Sequence, residues 1–382
     1  MYWTGIVITA ILLGAYCILI LVYRNWFLRL PVFKADADTN DHQFFSIIIP
    51  ARNEAENIPH CLPGILQQDY PADHFEVTVI NDFSTDDTEA LLRNLQAQYP
   101  NLHVLNLKDE LGDAILNSYK KKAIELAIAG SKGKWIVTTD ADCMAGPRWL
   151  RTLNDYIRQT NAVFVAAPVM LTNESGFLSL FQQLDFLSLQ GITAASVSAG
   201  YHSMCNGANL AYEKDAFYKV NGFAGIDNLA SGDDMLLMHK IREQYPGRLG
   251  YLFAHDAIIR TSPMPDWKQL LNQRIRWASK ADKYRDRSIF YVLFLVYAVN
   301  AALLLLLLIS PWMENGFTNW LLLVIAKTLV ELSFMAPVAR FFGQGNTLLW
   351  FPVMQPFHLV YTVTAGWLGK FGSYQWKGRK VH

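Results

Sequence analysis

Two long stretches of this sequence contain no charged residue, and they limit the architecture more than any other feature. Residues Tyr2 to Tyr23 and Ser288 to Met313 are apolar, and each is long enough to cross a bilayer core of about 30 Å as a helix. Hydrophobic residues make up 52% of the 382-residue chain and charged residues only 17%, which is apolar for a soluble protein. The chain is therefore expected to be an integral membrane protein.

Two further apolar stretches follow the second uncharged run. The stretch from Phe317 to Ala339 contains Lys327 and Glu331, whose i,i+4 spacing allows them to pair on one face of a helix. The stretch from Phe341 to Gly369 is interrupted by two prolines, so it is expected to kink, re-enter or lie at the interface. The C-terminal region is therefore expected to hold two to three membrane segments.

The distribution of basic residues predicts the orientation of the chain. Basic side chains follow the first run and crowd the approach to the second, so the positive-inside rule places the polar middle in the cytoplasm. These residues are Arg24, Arg29, Lys34, Lys268, Arg274, Arg276, Lys280, Lys283, Arg285 and Arg287. Three crossings after the middle would put the basic tail outside, so one of the last two segments is expected not to cross. The first run lacks a basic leader and a cleavage pattern, which favours a retained anchor, in a bacterial inner membrane.

These patterns divide the chain into four parts. Residues 1–40 are an N-terminal transmembrane anchor and linker, and residues 41–262 are a cytoplasmic domain. Residues 263–287 are expected to form a basic amphipathic helix at the membrane interface, because apolar side chains recur there at mostly helical spacing. Residues 288–382 hold the C-terminal membrane segments and a basic tail.

Charge and cysteine content bear on the partners of the chain. The formal net charge is zero and no basic, aromatic-interleaved patch occurs in the polar middle, so nucleic acid is not an expected partner. The four cysteines, Cys17, Cys61, Cys143 and Cys205, show no paired metal-binding spacing. A cytoplasmic location would keep them reduced.

Strand-like and helix-like stretches alternate in the polar middle, which is the pattern of a parallel α/β sheet. The predicted strands are Phe44–Ile49, Phe75–Ile80, Leu102–Leu105, Trp135–Thr139 and Ala162–Val169, and the predicted helices include Asp87–Gln98 and Ser118–Ala129. In open sheets of this kind, ligands bind beyond the carboxyl ends of the strands. A ligand site is therefore expected at that edge.

Polar residues follow three of the predicted strands at this edge. Pro50-Ala-Arg52-Asn-Glu54 follows the first strand, Asn81-Asp82 the second and Asp140-Ala-Asp142 the fourth. Two carboxylates two positions apart can hold a hard cation such as Mg²⁺, whose other positions are filled by water and phosphate oxygens. The last cluster therefore predicts a divalent metal site for a nucleotide-diphosphate substrate, although short Asp-x-Asp strings also occur in solvated turns.

The three clusters, in this order, resemble those of the inverting nucleotide-sugar glycosyltransferases of family 2, which have the GT-A fold. Ser231-Gly-Asp233-Asp234 is similar to the acidic motif of that family, with Asp233 in place of the usual Glu. Gln273-Arg-Ile-Arg276-Trp277 is similar to its Q-x-x-R-W motif. The resemblance, over about Phe44 to Trp277, implies a nucleotide-sugar-binding domain with a Rossmann-like, mostly parallel sheet, flanked here by transmembrane helices.

The resemblance implies a donor site and a metal site. The donor-binding residues would be Pro50, Arg52, Glu54, Asp82, Lys122, Asp140, Gln273 and Arg276. Asp82 would lie at the base and Glu54 near the ribose. Asp142 and Asp140, completed by His255, would bring Mg²⁺ or Mn²⁺ to the diphosphate.

Simpler interpretations of some of these residues stay open. Asp82 and Ser84 could form an Asx-type turn, and Phe83 stands where the family usually has glycine. Lys122, with Lys121 before it, could lie on a solvated helix face. His255 could be an ordinary loop histidine.

The resemblance also implies the catalytic and acceptor-binding residues. Asp234 would take the proton of the acceptor hydroxyl, with Asp233 beside it, and Arg276 would meet the departing phosphates. The acceptor-binding residues would be Cys205, Gly207, Asn209 and Trp277. Alternatively, Asp233 and Asp234 could stabilise the N-terminus of the helix that follows them, and both interpretations can hold together.

The function implied is transfer of one sugar from a nucleotide-diphosphate sugar, expected to be UDP-linked, to a hydroxyl of a lipid or lipid-linked acceptor. Tyr374-Gln-Trp376-Lys-Gly-Arg379 resembles the tail of integral-membrane lipid glycosyltransferases. The alternative is a processive polysaccharide synthase of the cellulose, hyaluronan or poly-N-acetylglucosamine type, with a growing glycan as acceptor. Its channel would need more helices or a homo-oligomer. A non-catalytic nucleotide-sugar-binding subunit is a remoter alternative, which the retained acidic residues disfavour.

Overall fold

The computed structural model describes residues 2–35, 41–112, 116–202, 204–229, 232–279, 286–371, 374–376 and 379–381. The α-helices are α1 (Tyr2–Leu28), α2 (Ile58–Leu66), α3 (Thr88–Gln96), α4 (Leu107–Leu111), α5 (Tyr119–Gly130), α6 (Trp149–Gln159), α7 (Phe177–Ser198), α8 (Lys214–Lys219), α9 (Met235–Gln244), α10 (Trp267–Ala278), α11 (Arg287–Ile309), α12 (Gly316–Phe341) and α13 (Phe351–Phe371). The strands are β1 (Phe45–Ala51), β2 (Phe75–Asn81), β3 (Leu102–Asn106), β4 (Trp135–Thr138), β5 (Cys143–Met144), β6 (Phe164–Ala166), β7 (Val169–Leu171), β8 (Leu210–Glu213), β9 (Leu249–Tyr251), β10 (Ile259–Thr261), β11 (Tyr374–Trp376) and β12 (Arg379–Val381). Predictions that involve Ser231, residues 280–285 and residues 377–378 lie outside the described residues.

The chain divides into two compact units. The first comprises Met1–Leu30, Asn173–His202 and Pro263–Tyr374, and the second comprises Pro31–Thr172, Ser203–Ser262 and Gln375–His382. Residues 173–202, which include α7, thus belong to the first unit, although they lie within the range 41–262 in sequence. A Cβ at Gly191 of α7 would lie 2.5 Å from Val338 Cγ2 of α12, so these two helices approach closely.

The second unit is built on a mixed sheet whose strands lie in the order β3-β2-β1-β4-β8-β6-β9. β1 is parallel to β2 and to β4, and β2 is parallel to β3, whereas β8 runs antiparallel to β4 and β6. Ile47, Ile48 and Val77 are fully buried, as expected for parallel strands that are covered on both faces. The predicted, mostly parallel α/β arrangement is confirmed.

Parallel pairing brings the carboxyl ends of three strands to one edge of this sheet. Ala51, the last residue of β1, lies beside Asn81 of β2, and Pro50 lies beside Ile80. On the other side of β1, Ile48 lies beside the last residue of β4. The polar clusters that follow these three strands therefore begin at the same edge.

The turn before β4 packs tightly against β1 at Gly133. A Cβ there would lie 2.7 Å from both the backbone nitrogen and the hydroxyl of Ser46, so the close approach requires glycine. Gly133 N donates to Ser46 Oγ at 2.8 Å, and Ser46 Oγ donates to buried Glu76 at 2.6 Å. These contacts fix β4, and the acidic residues after it, against β1.

The predicted strand Ala162–Val169 is two strands in the structure. β6 ends at Ala166 and β7 begins at Val169, and Pro168 between them has no N–H to donate to a neighbouring strand. β6 stays in the main sheet, whereas β7 pairs with β10 in a small sheet that also contains β5. Proline therefore marks the point at which the chain changes sheets.

Three helices of the first unit are long and apolar enough to cross a membrane. These candidate spans are Thr4–Leu28, Arg287–Trp312 and Gly316–Phe341. They overlap almost completely with the first three stretches predicted from the sequence. Within the described residues α13, which has Pro356 inside it, is not among the candidate spans.

The charged pair of the third apolar stretch is buried in the first unit. Lys327 Nζ donates to Glu331 Oε1 at 2.6 Å and to Gln355 Oε1 at 2.9 Å. Gln355 Nε2 donates to Glu331 Oε2 at 2.7 Å, and Tyr16 OH donates to Glu331 Oε1 at 2.5 Å. The pairing expected from the i,i+4 spacing is present on α12, and the neutral side chains of Tyr16 and Gln355 connect this charged pair to α1 and α13.

Candidate active site

The loops after β1 and β2 are joined by hydrogen bonds. Arg52 Nη1 donates to the carbonyl oxygens of Asp82 and Phe83 at 2.8 and 3.0 Å. Glu54 N donates to Thr88 Oγ1 at 2.8 Å. The side chains predicted to hold the nucleoside are mostly covered, since Glu54 is 6% and Asp82 2% exposed. These hydrogen bonds hold the two loops together at the carboxyl ends of β1 and β2, and both loops carry a carboxylate there. This pair of loops is called the rim below.

Phe83 adopts the backbone conformation that glycine would supply at this position. Its φ angle is +51°, in the left-handed region, which costs a non-glycine residue about 1–2 kcal/mol. Its ring packs edge-on against Tyr119, with centroids 5.6 Å apart and planes at 83°. Such pairs contribute about 0.5–1.5 kcal/mol, which offsets much of the strain. The departure from glycine therefore leaves the left-handed turn of the loop in place.

Lys120 connects the acid after β4 to the acidic motif. Its Nζ lies 2.9 Å from Asp140 Oδ1 and 3.2 Å from Asp233 Oδ2, and the side chain is 20% exposed. Burial lowers the pKa of Lys120, but the charges of Asp140 and then Asp233 outweigh burial and hold the pKa above its ordinary value. Lys120 is therefore a fixed positive charge between two carboxylates at neutral pH.

Asp142 lies beside buried thiols. Cys143 Sγ donates to Asp142 Oδ1 at 3.5 Å, and Cys61 Sγ donates to the carbonyl oxygen of Asp140 at 3.8 Å. Burial, and then the charge of Asp142, raises the pKa of Cys143 well above its ordinary value and that of Cys61 to about 12. Burial and the neighbouring carboxylates therefore favour the protonated thiol at both positions, which disfavours a thiolate nucleophile.

Asp140 and Asp142 suit a divalent cation that also binds phosphate. Mg²⁺ in such sites takes one or two protein carboxylates and completes its shell with water and substrate phosphates. His255 is exposed at the start of a short 3₁₀ helix. Within the described residues, no three His, Cys, Asp or Glu side chains are grouped so that they could hold a metal. The metal site at Asp140, Asp142 and His255 therefore stays a prediction.

Asp234 caps α9 and contacts the predicted acceptor loop. Its Oδ1 accepts a hydrogen bond from Met235 N at 2.7 Å, and its Oδ2 accepts one from Gly207 N at 3.1 Å. The carbonyl oxygen of Gly207 accepts from Thr138 Oγ1, at the end of β4, at 3.3 Å. The predicted base and Gly207 are therefore in direct contact at the same strand edge, and Asp234 is also a helix cap.

Asn209, also predicted to bind the acceptor, is held by hydrogen bonds within the protein, and Cys205, predicted for the same role, is a thiol near Asp234. Asn209 is 2% exposed, and its Nδ2 donates to the carbonyl oxygens of Pro168 and Ala257, both at 2.8 Å. A contact between Asn209 and an acceptor would require these bonds to open. Burial, and then the charge of Asp234, raises the pKa of Cys205 well above its ordinary value, so it remains a thiol.

The Q-x-x-R-W residues lie on α10, in the first unit. Gln273, Arg276 and Trp277 are partly exposed. Arg274, within the motif, is buried and pairs with Asp185 of α7, with 2.6 Å between Nη2 and Oδ2. Its guanidinium carbon lies 4.2 Å from the centroid of the Trp277 ring. The motif thus combines one buried, paired arginine with three side chains that reach the surface of the unit.

Two family models match long parts of the chain. The family described as glycosyl transferase family 2 matches residues 46–220, and the one described as glycosyl transferase family group 2 matches residues 135–369. The chain belongs to glycosyltransferase family 2. The matched residues include the three strand-end clusters, the acidic motif and the Q-x-x-R-W helix.

Curated relatives of this glycosyltransferase come from archaea and bacteria. Glycosyltransferase AglE of Haloferax volcanii is 28% identical over 238 residues, which are 62% of this chain and 73% of that protein. Beta-monoglucosyldiacylglycerol synthase of Synechocystis sp. is 30% identical over 126 residues, 33% of this chain and 25% of that protein. The 4,4'-diaponeurosporenoate glycosyltransferase of Staphylococcus aureus is 36% identical over 97 residues, 25% of this chain and 24% of that protein. The last two similarities thus cover about a quarter of each relative.

A solved glycosyltransferase shares the fold of this chain. The mannosyltransferase PcManGT from Pyrobaculum calidifontis, solved in complex with GDP-Man and Mn²⁺, matches with a TM-score of 0.58 and 19% sequence identity. The match covers 96% of this chain and 97% of PcManGT. The predicted GT-A fold is therefore confirmed.

The lysine run that opens α5 of this glycosyltransferase has three separate sets of contacts. Lys122, predicted to bind the donor, lies 3.9 Å from Glu125 on the same helix. Lys121 is 1% exposed, and its Nζ donates to two loop carbonyl oxygens at 2.7 and 2.5 Å. Lys120, which the motifs did not single out, contacts Asp140 and Asp233. Neighbouring helical residues point about 100° apart, so only one of the three can face the strand edge.

Proposed function

We propose that this glycosyltransferase is embedded in a membrane and moves one sugar, with inversion, from a nucleotide-diphosphate sugar to a hydroxyl of a lipid or lipid-linked acceptor. One observation carries the proposal. A single lysine, Lys120, joins the acid after β4 to the acidic motif that contains the predicted base. The carboxylates proposed for the donor side and for the acceptor side therefore share one site.

The nucleoside would bind against Glu54 and Asp82. Ionised carboxylates accept hydrogen bonds from a base N–H and from ribose hydroxyls, and both side chains stand on the rim that Arg52 braces. A rim that is ordered in advance reduces the entropy lost on binding. A UDP-linked donor is expected from the family resemblance.

The diphosphate would bind at the end of β4. Asp140 and Asp142 would hold Mg²⁺ or Mn²⁺, and a bound cation would supply positive charge to neutralise the charge that develops on the leaving diphosphate. PcManGT was solved with Mn²⁺, which supports a divalent metal here. Lys120 adds a fixed positive charge beside Asp140. Arg276 and Gln273 of α10 are proposed to contact the departing phosphates.

Asp234 is proposed as the general base. The acceptor oxygen forms a bond to the anomeric carbon while the bond from that carbon to the diphosphate oxygen breaks, and the hydroxyl proton passes to a carboxylate oxygen of Asp234. Attack on the face opposite the leaving group inverts the anomeric centre. The contact between Asp234 and Gly207 supports this role, because it sets the base against the proposed acceptor loop.

A lipid acceptor is supported by the membrane helices and by the relatives. Three helices have the length and apolarity of membrane spans. The name of one relative includes a diacylglycerol, although that similarity covers only 25% of it. A lipid would keep its tail in the bilayer while its head group enters the site. We place the catalytic residues on the cytoplasmic side, in a bacterial inner membrane.

The buried network of the first unit favours single addition over polymer synthesis. A secreted polymer needs a polar passage, and Lys327, Glu331 and Gln355 are among the few polar residues of the C-terminal segments. These three side chains are buried and bonded to one another. They are therefore poor candidates for the wall of a sugar channel in one protomer.

The direct test is a phase-partition assay on membranes that contain the protein. The donors are radiolabelled UDP-glucose, UDP-N-acetylglucosamine and GDP-mannose, and a variant that carries both Asp140→Asn and Asp142→Asn is the control. We expect label from one donor in the chloroform–methanol phase, with one or a few sugars per lipid, and none with the control. A long water-soluble polymer would support the processive alternative, and donor binding without turnover would support a binding subunit.

A further inference from the structure

Residues on one face of α7 contact α10, and the segment before it, at several points along the helix. Phe181 packs on Trp267, the first residue of α10, with ring centroids 5.4 Å apart. The Gln182 amide forms a reciprocal pair with the backbone of Met264, donating from Nε2 at 2.9 Å and accepting at Oε1 at 2.8 Å. Asp185 follows three residues later on the same face of the helix. These side chains fix both the approach to α10 and its first turn.

Asp185 contacts Arg274, in the second half of α10. Its Oδ2 lies 2.6 Å from Arg274 Nη2, and the two side chains are only 10% and 8% exposed. His358 Nε2 of α13 lies 3.7 Å from Asp185 Oδ1. Burial raises the pKa of Asp185, but the charge of Arg274, followed by contacts with His358, outweighs burial and lowers the pKa. Asp185 is therefore ionised and holds a desolvated guanidinium.

The same guanidinium lies over an aromatic ring of the Q-x-x-R-W motif. The central carbon of Arg274 is 4.2 Å from the centroid of the Trp277 ring, well within the range of a cation–π contact. The guanidinium is a flat plate that can bind a carboxylate at its edge and stack on a ring with its face. Asp185, Arg274 and Trp277 thus form a chain of contacts from α7 to a partly exposed indole.

We propose that Asp185 is a positioning residue for the acceptor: it fixes Arg274, and Arg274 fixes the indole of Trp277. This inference rests on the proposed function, in which Trp277 forms a wall of the acceptor site. Asp185 acts only through Arg274 and belongs to neither the donor site nor the base. Its loss should therefore weaken the use of the acceptor and leave the donor reaction with water unchanged.

The test compares transfer with hydrolysis in purified protein in detergent. The acceptor probe is a total lipid extract of membranes in which the protein is active, titrated in micelles, and water is the competing acceptor. We expect Asp185→Asn to raise the apparent acceptor KM about tenfold to a hundredfold, since a displacement of about 1 Å at a positioning group can cost about a hundredfold. The rate of donor hydrolysis and the donor KM should stay within about twofold of wild type.

The variant Arg274→Lys distinguishes the positioning of the Trp277 indole from simple charge pairing with Asp185. Lysine keeps the positive charge for Asp185 but lacks the flat plate that stacks on Trp277. We expect a melting temperature near that of wild type together with a raised acceptor KM. The matched control is Asp69→Asn, which removes an exposed ion pair with Arg151 at 3.0 Å in the second unit. It should change neither quantity.

The outcomes distinguish this inference from the proposed function. A wild-type acceptor KM in Arg274→Lys would refute the positioning role, as would equal losses of transfer and hydrolysis in folded Asp185→Asn. If Asp185→Asn does not fold, Arg274→Lys decides the question. Failure of the wild-type protein to transfer or hydrolyse any nucleotide sugar would instead refute the proposed function.

Discussion

Replacing Asp234 with asparagine separates the proposed base from the structure that it supports. Asp234 Oδ1 caps α9 through Met235 N at 2.7 Å, and asparagine caps helices as well as aspartate does. At the other position the amide NH₂ group would face Gly207 N, which now donates to Oδ2 at 3.1 Å. One lost hydrogen bond costs about 1 kcal/mol, which lowers the melting temperature by about 2–4 °C in a domain of this size.

The effect on turnover should be far larger than the effect on stability. An amide cannot accept the proton of the acceptor hydroxyl, so kcat should fall by about 10² to 10⁴. Donor affinity should stay near wild type, because the proposed nucleoside site lies at Glu54 and Asp82. The assay combines labelled-lipid formation for kcat with calorimetric titration of the donor for Kd, and thermal unfolding for stability.

Asp233→Asn is the matched comparison, because it makes the same chemical change one residue earlier. It removes the ion pair of Asp233 with Lys120, at 3.2 Å, and leaves the contact between Asp234 and Gly207 intact. We expect a smaller loss of kcat. A greater loss in Asp233→Asn than in Asp234→Asn would show that Asp233 is the base. Wild-type turnover in folded Asp234→Asn would refute the base assignment.

Further predictions concern the metal, the lysine at the strand edge and the topology. Asp142→Asn, like EDTA, should abolish transfer and weaken donor binding, because the diphosphate loses its link to the protein; full activity in EDTA would contradict a metal. Lys120→Met should weaken donor binding by about tenfold to a hundredfold, the equivalent of one charged hydrogen bond. Lys122→Met should have less effect; a larger effect of Lys122→Met would support Lys122 as the donor-binding lysine. Single cysteines introduced into a cysteine-free variant should be labelled from outside intact cells at Asn315 but not at Asp86. Labelling at Asp86 would invert the proposed topology.

Local sequence patterns predicted the central strands well. β1, β2, β3 and β4 match their predicted ranges to within two residues at each end. For β1, β2 and β4 the reason is that buried runs rich in β-branched residues mark parallel strands with little dependence on distant contacts. The place of α7 depends instead on long-range packing. Its residues lie between parts of the second unit in sequence, but Gly191 contacts Val338 in the first. No local pattern carries that information.

The order of residues along the chain is enough to predict which polar clusters begin at one edge of the sheet, but it does not predict the direction of each side chain. Glu54, Asp82 and Asp140 follow strands whose ends must meet in a parallel sheet. The choice among three consecutive lysines depends on the rotational phase of α5, which is fixed by its packing on the sheet. Lys120 therefore became evident only in three dimensions. Likewise, the inward bonds of Asn209 join segments that are distant in sequence.

The central claim is that one sugar leaves a nucleotide and arrives on a lipid hydroxyl at the site formed by Lys120, Asp140 and Asp234. Mass spectrometry of the lipids recovered after purified protein is incubated with donor and membrane lipid extract tests it most directly. We predict a lipid heavier by one sugar residue, formed with release of the nucleoside diphosphate, with inverted anomeric configuration by NMR, and absent with Asp234→Asn. Unmodified lipids together with a water-soluble polymer, or retention of the donor's anomeric configuration in the product, would contradict the account.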